Sequence, residues 1–410
     1  MTLALLMVLS VVQTVAQELP VASPESVGLS APLLDRATDA LRAHVERGDI
    51  AGVVAAVVRD GKLVYSEAIG YRDLELRDSM LPDALFRLYS MTRPITSLAA
   101  MILWEDDAFE LYHPISRYLP QFESQRVFLD ASVPDLEQTK VRTGDITVEH
   151  LLLHTSGLGS RSSGIYRDQA VRLRSITVEE MVRNAARVPL FEDPGTRWRY
   201  GISTTILGRL VEVWSGMPLD EFLNGRVFEP LGMSDTVFWA DATRRGRLAS
   251  VYRPSESGEL LPHAIEDVPF DQQPTLTEGG VGLLSTVRDY LRFSQMFLNK
   301  GELDGVRILR PETIEMMTAN RVPSALLPLG GRPNGRGWSL GFSVVLDPVL
   351  FTFPVSRDTF WWDGSAGTRF FIDPHQNMIT VIMAQVSPAS GGGFREQFAT
   401  LVDAAIVDRR

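Results

Sequence analysis

The chain has 410 residues, 45% of them hydrophobic and 22% charged, with a formal net charge of −11. That length suits a large two-lobed domain, and the acidic balance argues against nucleic acid or an anionic membrane as partner. There are no cysteines, which removes disulfides, thiol nucleophiles and cysteine-based metal sites.

Residues 3–12 form a short apolar run, and Thr14-Val15-Ala16 ahead of Gln17 resembles a signal-peptidase site. The pattern predicts a signal peptide over residues 1–16 and a secreted or periplasmic chain from Gln17. The basic residues that open most leaders are missing, since the first Lys or Arg is Arg36. About ten apolar residues are too few to span a bilayer, so no membrane span is expected.

Residues 31–47 read as a surface helix. Two apolar runs, 51–59 and 62–68, flank Asp60-Gly61, a strong hairpin signal. Ser90 comes next, at the mouth of an apolar helix that continues through Ala99, Met101, Ile102 and Trp104, with Pro94 tolerated near its first turn. Helices and long loops follow to about residue 187. Thr147 starts a helix that ends at Thr155-Ser156-Gly157. His150 and His154 with Glu149 imitate a metal site, but no third ligand is evident, and His154 beside a turn is expected to bond backbone. No metal or cofactor is implied.

Asp193-Pro194-Gly195 is a turn leading into Thr196-Arg197-Trp198-Arg199-Tyr200, and Gly201-Ile202-Ser203 then opens a helix that stops at Ser215-Gly216. Ser234-Asp235-Thr236 reads as a plain turn. The glycine-rich loop 277–282 has no strand before it and no Lys after it, which argues against a nucleotide cradle. Thr286 with Asp289 caps a helix to residue 298. Strands are expected at 340–346, 359–363, 368–373 and 378–385, then a closing helix over 394–407. Strands at both ends around a long helical middle give an α+β fold. An antiparallel sheet with flanking helices would come from about residues 20–75 and 335–410, and a mostly helical lobe from about 76–334. A cleft is expected where the lobes meet.

Ser90 and Arg93 are the chemical focus. Residues three apart on a helix share a face, so the head group of the fourth reaches the serine hydroxyl. A serine at a helix N-terminus also lies beside free N–H groups suited to a developing oxyanion. Taken alone, such a serine is usually a helix cap.

Four collinear motifs change that reading. They are Phe86-Arg87-Leu88-Tyr89-Ser90-Met91-Thr92-Arg93-Pro94, Leu151-Leu152-Leu153-His154-Thr155-Ser156-Gly157-Leu158, Pro194-Gly195-Thr196-Arg197-Trp198-Arg199-Tyr200 and Trp362-Asp363-Gly364-Ser365-Ala366-Gly367-Thr368. With them the chain, from about Glu18 onward, resembles the serine β-lactamase superfamily, in its class C-like group with the family VIII carboxylesterases. The resemblance implies Ser90 as acylated nucleophile and Tyr200 as the tyrosine of the second motif. The Asn two residues after that tyrosine is replaced by Ile202, which leans toward esters. Trp362-Asp363-Gly364 stands where β-lactamases carry Lys-Thr-Gly, removing the cation that pairs with a substrate carboxylate. Trp362 and Gly364 share one face of the strand and are expected at the substrate. The N–H groups of Ser90 and Ser365 would form the oxyanion hole.

Arg93 departs from the family's Ser-x-x-Lys. A lysine can lose its proton when desolvated; neutralising an arginine at pH 7 requires about 7 kcal/mol or more. Arg93 is therefore a fixed cation, not a base. Tyr200 can be the base: bringing a phenol from a pKa of about 10 to about 7 takes about 4 kcal/mol, and one cation at about 4 Å offers a similar amount. The leading expectation is a serine hydrolase for small carboxylic esters. The alternative is a non-catalytic binding relative, motivated by the missing lysine.

Overall fold

The computed structural model describes residues 17–160, 162–389 and 391–410; the expected signal peptide, residues 1–16, lies outside them. Helix α1 (Ala31–Glu46) has proline in its first turn, where a missing N–H is harmless, and buries Leu34, Ala37, Leu41 and His44 on one stripe. Asp60-Gly61 joins β1 (Gly52–Arg59) to β2 (Lys62–Asp73). Both turn residues have positive φ, +54° and +69°, the paired conformation whose twist matches the flanking strands.

Strand β1 is buried along its whole length because it serves two cores. Val53, Ala55 and Val57 face α1; Val54, Ala56 and Val58 face the opposite layer. Six further strands complete one sheet: β3 (Asp78–Ser79), β4 (Arg336–Trp338), β5 (Ser343–Val345), β6 (Phe360–Asp363), β7 (Thr368–Asp373) and β8 (Met378–Ala384). Their order is β4-β5-β6-β7-β8-β1-β2-β3, and every pairing is antiparallel. The two ends of the chain therefore meet inside the sheet, Val53 opposite Ala384 through Arg59 opposite Met378.

Helix α2 (Thr92–Glu105) is buried along nearly its whole length and lies against α3 (Ser203–Ser215). The glycine-rich loop is what allows this. A Cβ on Gly279 would meet Thr96 of α2 at 2.9 Å and Gly208 of α3 at 3.1 Å, and one on Gly280 would meet Thr205 at 2.4 Å. Helix α4 (Val287–Leu298) is capped by Thr286, whose Oγ1 accepts from Asp289 N at 3.1 Å, and α5 (Phe394–Ala404) closes the chain against α1. Ser234-Asp235-Thr236 is a turn, tied by Asp235 to Arg247.

One strand differs from expectation. The pattern predicts a single strand over 340–346, but two short ones, β4 and β5, flank a turn at Gly341, where φ is +123°. A Cβ there would lie 2.7 Å from Ser97 Cβ, so glycine is what lets the chain turn this close to α2. Among the described residues no helix is long and apolar enough to cross a membrane.

Candidate active site

Ser90 sits in a tight turn, Tyr89–Met91, that feeds α2. The turn is strained: Tyr89 is fully buried with φ +44°, a left-handed conformation that costs a non-glycine residue about 1–2 kcal/mol. Several bonds hold it. Leu88 N–H donates to Leu283 O at 2.9 Å, Leu283 N–H to Thr92 Oγ1 at 3.2 Å, and Tyr290 OH to Met91 O at 3.0 Å. Gln385 grips the preceding residue on both sides, accepting from Arg87 N at 3.1 Å and donating to Arg87 O at 3.3 Å.

The end of β6 reaches the same turn. A Cβ on Gly364 would lie 2.4 Å from Leu88 O and 2.3 Å from Thr368 Oγ1, so glycine is needed for this strand to approach the Ser90 turn. The Gly364 N–H closes the turn to Thr368 O at 2.9 Å. Ser365 follows, exposed.

Tyr200 arrives on a segment laced to the second motif. Arg199 N–H donates to His154 O at 2.8 Å, Gly195 N–H to Thr155 O at 2.7 Å, and Ile202 N–H to Gly159 O at 3.0 Å. Gly201 permits the contact, since a Cβ there would meet Gly159 O at 2.3 Å. The Tyr200 hydroxyl accepts from Trp362 Nε1–H at 2.8 Å, and the Ser90 side chain is near enough to favour its ionised form. Under the ring lies Arg93, 5% exposed, with Cζ 4.3 Å from the ring centroid. Its Nη1 donates to Gly201 O at 2.8 Å and Thr204 Oγ1 at 3.1 Å.

A beta-lactamase family model matches residues 37–403. The chain belongs to the β-lactamase family. It is 36% identical over 366 residues to Protein Rv1367c of Mycobacterium tuberculosis, covering 87% of this chain and 90% of that one. It is 30% identical over 353 residues to Esterase EstB of Burkholderia gladioli, covering 79% and 83%. A solved structure described as EstCE1, a hydrolase with promiscuous acyltransferase activity, superposes with a TM-score of 0.77 at 26% identity, covering 90% of this chain and 98% of that one. This β-lactamase family member thus keeps company with esterases, which supports a serine-hydrolase, esterase-type activity.

Within that frame the four motifs have physical roles. The first forms the strained turn, the second and third zip together to deliver Tyr200, and the fourth brings β6 against the Ser90 turn. Trp362 is 7% exposed and packs at 4.5 Å from the Trp338 ring and 5.1 Å from that of Tyr200. Its polar edge is committed to Tyr200. Ile202 is 3% exposed and belongs to the core, at the first turn of α3.

Burial raises the Tyr200 phenol above its ordinary value; Arg93, Ser90 and Trp362 oppose that rise without cancelling it, and Asp363 adds to it. Tyr200 is therefore a phenol at neutral pH. The guanidinium lies against the ring face and is held at Gly201 and Thr204, so it stabilises the anion less than a cation at the oxygen would.

His154 was the residue least legible from sequence. Read as bonding backbone, its ring instead packs 4.8 Å from Tyr200 and 5.1 Å from Trp338, and its buried Nδ1 has no hydrogen-bond partner among the described residues. Burial and the nearby Arg93 hold its pKa well below the usual imidazole value, so it is neutral. His150 is not beside it in role: it closes the capping box of the Val148–Leu152 helix, accepting from Thr147 N at 3.2 Å.

Proposed function

We propose that this protein hydrolyses small carboxylic esters through an acyl-enzyme on Ser90, with Tyr200 as base and Arg93 as supporting cation. The observation that carries this reading is the Tyr200 hydroxyl, placed between the Ser90 side chain and the Trp362 N–H above a fixed guanidinium. The Tyr200 phenolate takes the Ser90 proton as Oγ bonds to the ester carbonyl carbon. The N–H groups of Ser90 and Ser365 hold the oxyanion. Collapse breaks the carbon–oxygen bond, and the Tyr200 phenol gives its proton to the departing alkoxide. Water then attacks the acyl-enzyme with Tyr200 again accepting a proton, and the acid leaves. An alcohol in place of water would give acyl transfer, the side activity named for EstCE1.

Trp362 takes over one function of the missing lysine and drops another. Its N–H stabilises the Tyr200 anion, but an indole offers no charge to a substrate carboxylate. Short-chain p-nitrophenyl esters are therefore expected to be turned over far better than penicillins or D-alanyl peptides. Measuring kcat/KM for the three classes tests this, and a β-lactam preference would defeat it. Trp362→Phe removes one hydrogen bond to the developing anion and raises the phenol further. It is expected to lower kcat/KM at pH 8 by about 3- to 10-fold, with no such loss if the indole serves packing alone.

A further inference from the structure

Residues 17–20 are fastened to the body of the protein, far in sequence from what they touch. Gln17 N–H donates to Asp304 Oδ2 at 3.2 Å, and Gln17 O accepts from Arg292 Nη1. Glu18 pairs with Arg288 at 2.7 Å, and Pro20 O accepts from Leu63 N at 2.8 Å. Arg292 is 1% exposed on α4; it also donates to Leu231 O and, at 2.5 Å, to Asp304. Asp304 sits at the tip of the hairpin formed by Glu302–Leu303 and Val306–Arg307. With Gly305 it has positive φ, +52° and +78°, the two-residue turn that presents its carboxylate toward Gln17.

We propose that Asp304 is the receiving site for a mature N-terminus created by cleavage between Ala16 and Gln17. Hydrolysis of that amide by a signal peptidase places a hydroxyl from water on the Ala16 carbonyl and a hydrogen on the Gln17 nitrogen. The new amine takes a further proton near neutral pH. The peptide N–H that now points at Asp304 becomes an ammonium with three donors and a charge. Arg288 pairs with Glu18 and Asp289, and Arg292 with Asp304; behind them Asp235, near Asp289 and Arg288, is paired with Arg244 and Arg247. The Asp304 side chain is only 20% exposed, which spares the pair much of the screening a surface contact suffers.

An N-terminal glutamine cyclises when its neutral amine attacks its own side-chain amide, forming a lactam and releasing ammonia. An ammonium clamped by a carboxylate cannot start that reaction. The test is to express the full chain in a bacterial host, recover the exported protein and read its intact mass. The expected product begins at Gln17 with an uncyclised amine. On incubation at neutral pH, Asp304→Asn should lose ammonia about tenfold faster than wild type, the factor for each pKa unit that an opposite charge adds to an amine. Asp304→Glu, which keeps the charge, should stay close to wild type. Should Asp304→Asn fail to fold, the free peptide of residues 17–24 supplies the unclamped reference rate. An exported chain that retains Met1 or starts elsewhere overturns the processing site, and equal cyclisation rates with and without the carboxylate overturn the clamp.

Discussion

Ser90→Ala is expected to reduce ester hydrolysis to the level of buffer, a loss on the order of 10³-fold or more, as removal of a covalent nucleophile does. The fold should survive. Ser90 is partly exposed, and the turn around it is held by Leu283, Gln385 and Tyr290 rather than by its hydroxyl. Thermal unfolding followed by circular dichroism separates the two effects: activity gone, Tm nearly unchanged. An active Ser90→Ala enzyme would place the nucleophile elsewhere.

Tyr200→Phe is expected to lower kcat/KM on the order of 10²-fold or more, the usual yield of a positioned general base. It also leaves the Trp362 N–H without its acceptor, so a modest fall in Tm accompanies the loss. The pH profile is the sharper readout. Burial lifts the Tyr200 phenol above its ordinary value of about 10, and in the proposed mechanism the phenolate is the reactive form. Below its pKa the phenolate fraction grows tenfold per pH unit, so wild-type kcat/KM should climb from pH 7 past pH 9 without a plateau. In Tyr200→Phe the residual rate should lose that slope. Full activity in Tyr200→Phe, or a wild-type plateau already at pH 7, would mean that a different group takes the proton.

Most of the framework is legible in the sequence because the signals are local. Asp60-Gly61 declares its hairpin, the apolar run of β1 declares a strand buried on both faces, and four motifs in order declare the Ser90 turn and the segment bearing Tyr200. What escapes is set by contacts across the chain. The Trp362–Tyr200 hydrogen bond joins residues on separate elements, and nothing near either predicts it. Arg93 was expected to offset the desolvation of the phenol, but Gly201 O and Thr204 draw its head group under the ring, and burial prevails. The close approach of Gly364 to Leu88 O is likewise a contact across the chain that its own segment does not announce. The glycines of loop 277–282, ambiguous as text, are fixed by how closely α2 and α3 approach. Strand β4 was missed because three residues carry no period.

The most direct test of an acyl-enzyme at this site is labelling with a fluorophosphonate probe, read by intact mass and peptide mapping. One adduct per chain is predicted, on the peptide carrying Ser90, absent from Ser90→Ala and forming faster as pH rises toward the Tyr200 pKa. A wild-type protein that turns over esters but carries its adduct on another serine, or none at all, would contradict the account.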